Sequence, residues 1–225
     1  MTGSAVNSFV IGKSHLGLEI SGFEFRAREK SKCLKNILIL GGVHGDEVEG
    51  VIASFGLITF LRDHFDYQFN LFIVPQFNTD GVLARTRGNI RGVDLNRNLP
   101  TKDWSPHIAT PRYHPGEKAN SELENQALVR FIAEKEFHFI YSLHSWKPML
   151  NINGNARRVA EAIQKHTSYI IEENIGYPTP GSLGQYGVEK EIPVLTYEIE
   201  RGLDFKNILN IHVPAICESL KILEP

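Results

Sequence analysis

The chain has 225 residues, 42% hydrophobic, 22% charged and 10% aromatic, a profile that excludes disordered and fibrous classes. Lysine and arginine number 24 against 26 aspartate and glutamate. The resulting formal net charge of -2 supplies no overall basic field for nucleic acid or an anionic membrane, so any anion site must be local. A chain of this size can bury a sufficient core by itself, and no linker or repeat divides it, so one domain over residues 1–225 is expected.

The N-terminal stretch MTGSAVNSFVIGK has neither the charged start nor the apolar run of a signal peptide. No later apolar run reaches the ~20 residues needed to span a bilayer, and a cytoplasmic protein is expected. Residues 9–12 and 16–25 read as an antiparallel edge hairpin. Apolar runs of strand length follow at 36–40 (NILIL), 69–74 (FNLFIV), 139–143 (FIYSL) and 192–199 (IPVLTYEI). Helical periodicity occupies about 47–64, 121–136, 156–173 and 206–223, the last starting or kinking at Pro214. Ser121 and Glu124 have the S-x-x-E spacing of a capping box at the second of these helices. Strands alternating with helices predict an α/β fold: three layers, α/β/α, around a mixed, largely parallel sheet. Residues 78–120 break the alternation, being rich in Gly, Pro, Asn and Arg, and a structureless stretch of that length is expected to line a site. Trp104, Tyr113 and His114 are its candidates for walling that site. Cys33 and Cys217 are far apart without a C-x-x-C pattern, which predicts free structural thiols.

The loop GGVHGDEVEG directly follows NILIL and sets His44 and Glu47 three residues apart. Catalytic zinc takes three protein ligands, commonly two histidines and a glutamate. His144, at the end of a buried strand in YSLHSW, is the natural third, because sites in open α/β sheets form at the carboxyl ends of strands. In GVDLNRN, Asn96 and Arg97 adjoin each other and follow Arg85, Arg87 and Arg91, a cluster suited to anions because guanidinium groups bind carboxylates bidentately. VLTYEIER ends an apolar strand with Glu198 and Glu200 on one face. A strand-end carboxylate near a metal can serve as general base. Taken singly, each pattern also fits solvated surface groups.

HGDE, GVDLNRN, SLHSW and LTYEIE, in this order, resemble the zinc carboxypeptidase superfamily related to carboxypeptidase A, over about residues 36–201. NTDGVLARTRGNIRGVDLNRNLP, YHPGEKANSELENQ and YPTPGSLGQYG further resemble the bacterial murein peptide amidase A group. The resemblance implies one zinc per chain on His44, Glu47 and His144, with Glu198 as the catalytic glutamate. It implies Asn96 and Arg97 as the pair holding the substrate's terminal carboxylate, and an upstream arginine polarising the scissile carbonyl, for which Arg87 is favoured over Arg85. A substrate-side tyrosine is typical of the superfamily; Tyr177 is the candidate and Tyr186 the alternative. The implied reaction is hydrolysis of the γ-D-glutamyl–meso-diaminopimelate amide of cytoplasmic murein tripeptide during peptidoglycan recycling, with no nucleic-acid or membrane partner. Two positions depart from the group: Leu183 replaces an expected Phe, and Trp146 follows the His-Ser of the metal strand. The alternatives are a general metallocarboxypeptidase and an N-acyl amino acid deacylase of the succinylglutamate desuccinylase/aspartoacylase type. Against the deacylase, the chain stops soon after VLTYEIER without the additional β-domain expected there. A metal-free binding module for murein fragments is expected to lose one of the four metal-site positions, and none is altered here.

Overall fold

The computed structural model describes residues 6–27, 35–107 and 110–225. Its strands are β1 (Val6–Lys13), β2 (Glu19–Phe25), β3 (Asn36–Gly41), β4 (Asn70–Val74), β5 (Phe139–Trp146), β6 (Met149–Asn153), β7 (Ile170–Glu172) and β8 (Val194–Glu200). They form one sheet in the order β1-β2-β4-β3-β5-β8-β6-β7. The centre, β4-β3-β5-β8, is parallel, whereas β1-β2, β2-β4 and β6-β8 pair antiparallel. The helices are α1 (Val48–His64), α2 (Thr79–Ala84), α3 (Leu123–Lys135), α4 (Arg157–Thr167), α5 (Leu183–Glu189), α6 (Phe205–Asn207) and α7 (Val213–Leu220).

The central strands are apolar on both faces because helices cover both. Ile37, Ile39, Tyr141 and Tyr197 pack with residues of α1, α4 and α7 in one cluster. Leu38, Leu40, Ile140 and Val194 pack with residues of α3 and α5 in the other. The period of two along each strand thus separates two cores, and the α/β/α layering follows. No helix among the described residues is long and apolar enough to cross a membrane.

Several local expectations are corrected. Ser121 and Glu124 do not form a capping box: Ser121 Oγ donates to Glu122 Oε1 at 2.6 Å and accepts from Asn98 Nδ2 at 3.0 Å, while Glu124 turns inward to Asn89 Nδ2 at 3.3 Å. Long-range amides have captured both side chains, and the residue before the helix is Glu122. The helix expected over 156–173 ends at Thr167, where Ser168 takes a left-handed φ of 58°, and the β-prone residues that follow become edge strand β7. The long segment 78–120 holds α2 and two 3-10 turns, Leu95–Arg97 and Pro111–Tyr113. The last helical stretch begins as α6 and a π turn, Ile208–His212, before α7 starts with Pro214 in its first turn. Cys217 is buried and free, while Cys33 lies outside the described residues.

β3 lies between β4 and β5, so the chain reverses its direction of travel across the sheet there, and the loops after β3 and β5 diverge around a crevice. α1 closes tightly over that crevice. A Cβ added at Gly50 would stand 2.5 Å from the Leu143 carbonyl oxygen, one residue before His144. Gly50→Ala should therefore push α1 off β5 and lower the stability by about 1–3 kcal/mol; a urea midpoint equal to wild type would refute this close packing.

Candidate active site and metal centre

Three parallel strands, β3, β5 and β8, deliver side chains to one edge of the sheet. His44 lies on the loop after β3, Glu47 immediately precedes α1, and His144 is in β5. The loop is held close by Gly45, where a Cβ would fall 1.9 Å from the Gly81 carbonyl carbon, so only glycine permits the approach. Asn78, fully buried, stitches the neighbourhood: its Oδ1 accepts from Gly81 N at 2.9 Å and its Nδ2 reaches the carbonyls of Val43 and Arg87 at 3.4 and 3.3 Å.

The three side chains converge. His44 Nδ1 lies 2.9 Å from Glu47 Oε1, His144 Nδ1 lies 2.8 Å from Glu47 Oε2, and the two Nδ1 atoms are 3.1 Å apart. Donor atoms on a tetrahedral zinc at ~2.0–2.1 Å stand about 3.3 Å from one another, so two imidazoles and a carboxylate in this arrangement fit the ion with small adjustments. Electrostatics agrees. Burial works against a charged His44 ring, yet the carboxylates of Glu47 and Asp94 outweigh it and raise the group to about 9. Two carboxylates, Glu47 and Asp94, in contact with this ring give the site a negative field suited to a divalent cation. The opposite ring nitrogens are also engaged: His44 Nε2 with Asp94 Oδ1 at 3.0 Å, and His144 Nε2 with Ser142 Oγ at 2.9 Å, which fixes both rings.

Asp94 ties this centre to the arginines. Its carboxylate is wholly buried and accepts from Arg87 Nε at 2.9 Å and from the Asn96 backbone N–H at 2.9 Å. Burial alone disfavours its charge, but His44, Arg87 and Arg97 hold it well below the usual carboxylate range. Arg87 also reaches Glu47 Oε1 with Nη1 at 3.3 Å. The Tyr113 ring lies under both arginines, 5.2 Å from the Arg87 guanidinium carbon and 5.3 Å from that of Arg97. Asn96 Oδ1 accepts from Leu183 N at 2.8 Å, which leaves its Nδ2 as the free end of the amide.

On β8, Glu198 stands in register opposite His144. Its Oε2 is shielded from solvent without a hydrogen-bond partner among the described residues. Burial raises this carboxyl above its ordinary value, Glu47 adds to the rise, and His144, His44 and Arg87 oppose it.

One cavity is lined by His44, Glu47, Arg87, Asn96, Arg97, Tyr177 and Glu198 together; His144 lies buried beside it. Arg85 does not line it: this residue caps α2 with a left-handed φ of 54° and is exposed. Tyr186 is buried within α5, whereas Tyr177 is 40% exposed at the rim, its ring 6.4 Å from that of Trp146. Tyr113 walls the cavity, but Trp104 and His114 do not. Trp104 Nε1 donates to the Pro115 carbonyl at 3.3 Å, and the His114 carbonyl accepts from Asp94 N at 2.8 Å. Asp94, Arg112, Arg201, Asn151 and Asn153, which no local motif marks, also line or support the cavity. The available signals were an aspartate between apolar residues just before the Asn-Arg pair, and an arginine three positions after Glu198.

Asp94→Asn leaves the His44 ring and the Arg87 guanidinium without their shared anion. It is expected to lower divalent-metal affinity about 10- to 100-fold, measured by competition with a chromogenic chelator. Wild-type affinity in this variant would show that Asp94 does not orient the ligand.

A family model described as zinc carboxypeptidase matches residues 2–200. Murein peptide amidase A of Vibrio campbellii is 30% identical over 200 residues, covering 84% of this chain and 77% of that protein. Its Escherichia coli K12 counterpart is 30% identical over 203 residues, covering 83% and 78%. The crystal structure of murein-tripeptide amidase from Escherichia coli O157 superposes with a TM-score of 0.76 at 25% identity, over 96% of this chain and 92% of that one. Carboxypeptidase A of Helicoverpa armigera shares the fold with a TM-score of 0.81 at 18% identity, over 97% and 68%. With a family match across most of its length and a donor set that suits the family's metal, the chain is a hydrolase and belongs to the zinc carboxypeptidases.

Proposed function

We propose that this hydrolase is a murein peptide amidase that cleaves the γ-D-glutamyl–meso-diaminopimelate bond of murein tripeptide, with one zinc held by His44, Glu47 and His144. The observation that carries the reading is Arg97. It is 7% exposed, has no carboxylate in ion-pair distance among the described residues, and lines the same cavity as His44, Glu47 and Glu198. Its Nη1 donates to the Asn96 carbonyl at 2.7 Å, and a substrate's terminal carboxylate would supply the contact anion that the rest of the guanidinium lacks.

Zinc, when bound, supplies Lewis acidity at the scissile carbonyl and lowers the pKa of water. The chain supplies the rest. Arg97 and the Asn96 amide bind the terminal carboxylate of diaminopimelate and thereby fix which amide is presented. Glu198, whose Oε2 has no competing partner among the described residues, takes the proton of the attacking water and returns it to the leaving nitrogen. Arg87, pinned by Asp94 and Glu47, directs its remaining N–H toward the developing oxyanion, a contribution of about 3–4 kcal/mol for a well-placed donor. Tyr177 covers the cavity from the rim on the substrate side. The similarity to murein peptide amidases favours this substrate over an N-acyl amino acid. The role fits a cytoplasmic enzyme of peptidoglycan recycling.

Mass spectrometry of zinc-loaded protein with L-Ala-γ-D-Glu-meso-diaminopimelate, an ordinary C-terminal L-peptide and an N-acyl amino acid tests the proposal. Release of diaminopimelate from the first alone is expected; cleavage confined to either of the others refutes the substrate. Glu198→Gln should retain full zinc by elemental analysis while kcat falls about 10²- to 10⁴-fold, and a variant with near-normal turnover would remove Glu198 from the proton transfer. Arg97→Ala is expected to raise KM for the tripeptide about 10- to 100-fold with zinc content unchanged.

A further inference from the structure

Two more arginines, Arg201 and Arg112, line the cavity. The axis is set by β8. Near its start, Val194 pairs with Asn153 of β6, and Asn153 abuts Gly184, next to the Leu183 amide that holds Asn96. In its middle Glu198 opposes His144, and at its end Glu200 opposes Trp146. Arg201 comes next. At about 3.3 Å per residue its backbone lies up to about 10 Å beyond Glu198, along the strand away from the Val194 end that Asn153 and Gly184 tie to Asn96.

Arg201 is aimed by Asp46, the neighbour of Glu47. Its Nη2 donates to the Asp46 backbone carbonyl at 2.7 Å and lies 2.8 Å from Asp46 Oδ2. Arg112, in the turn that carries Tyr113, places its Nη2 3.7 Å from the same oxygen. One carboxylate therefore serves two guanidinium groups, and among the described residues neither arginine has another carboxylate partner. Their side chains are 39% and 51% exposed, within reach of a solute. Both contribute to the cavity wall.

We infer that Arg201, oriented by Asp46 and assisted by Arg112, forms a second anion subsite on the acyl side of the scissile bond, selecting substrates whose acyl residue keeps a free α-carboxylate. The inference rests on the amidase reading above and names what the other half of that cavity recognises. In an ordinary peptide the α-carbonyl is itself the scissile group, and no carboxylate stands at this place. In a γ-linked glutamate the α-carboxylate remains free, separated from the reacting carbon only by the short side chain. The cavity thus reads a carboxylate on each side of the bond, with Arg97 on the leaving side and Arg201 on the acyl side. The excess of cation over anion at Asp46 supplies the attraction, and the fork of Arg201 supplies the geometry.

The test compares kcat/KM of zinc-loaded wild type, Arg201→Ala and Arg112→Ala on L-Ala-γ-D-Glu-meso-diaminopimelate and on the same tripeptide with the glutamate α-carboxylate amidated. Wild type should lose about 10- to 100-fold on amidation, mostly in KM. Arg201→Ala should lose a similar factor on the acid and discriminate little between the two peptides. Arg112→Ala, which carries no backbone contact to Asp46, should show a smaller loss in the same sense. Arg201→Lys, which keeps the charge without the fork, should recover part of the discrimination and guards against a folding defect in the alanine variant. Equal cleavage of both peptides by wild type, or an Arg201→Ala that slows both by the same factor, overturns the subsite and leaves the amidase reading standing. No cleavage of either peptide by zinc-loaded wild type overturns both.

Discussion

The site is organised by one buried carboxylate. Asp94 has no exposure to water, and an anion in that position is tolerated only when donors surround it. It has His44 Nε2, two nitrogens of Arg87 and the Asn96 amide. Each of these bonds has a separate effect. The first turns Nδ1 of His44 toward Glu47 and His144, the second holds Arg87 over the cavity, and the third caps the 3-10 turn from which Asn96 and Arg97 project. His44, Arg87 and the turn bearing Asn96 and Arg97 are thus oriented from a single point.

The irregular stretch that contains Asp94 stays compact because amide side chains take the place of regular backbone pairing. Asn98, fully buried, donates through Nδ2 to the carbonyls of Pro115 and Lys118 and accepts at Oδ1 from Glu122 N. Asn89 bridges the carboxylates of Glu122 and Glu124 with Nδ2 and caps the turn 91–93 with Oδ1. Asn78 and Asn125 do similar work at the two ends. The described part of the segment is cross-linked by side-chain amides, though it is neither helix nor strand over most of its length.

This distribution of roles explains what could be read from the residues. The strands β3, β4, β5 and β8 stand out because burial on both faces makes them continuous apolar runs. β6 does not, since Asn151 and Asn153 alternate with its apolar residues and face the cavity. α5 carries two glycines that read as breakers; both are required by packing, Gly184 against Asn153 and Gly187 against Val194. Among the site groups, His44 and Glu47 are close in sequence and His144 directly follows the apolar run 139–143, so local pattern suffices to nominate them. Asp94 and Arg201 take their meaning from partners 50 and 155 positions away, which no local pattern carries. The choice between Arg85 and Arg87 has the same origin: both sit in one irregular run, and only the left-handed end of α2 separates an exposed cap from a cavity wall.

The two histidine nitrogens that meet at 3.1 Å belong to residues 100 positions apart. An unfolded chain keeps His44 beside Glu47 but has no fixed third donor, so a bound dication discriminates strongly between the finished sheet and the open coil. Metal concentration then enters the folding equilibrium by mass action: a hundredfold excess over the dissociation constant adds about 2.7 kcal/mol in favour of the native state. Removing the ion would therefore lower the stability of the fold together with its activity.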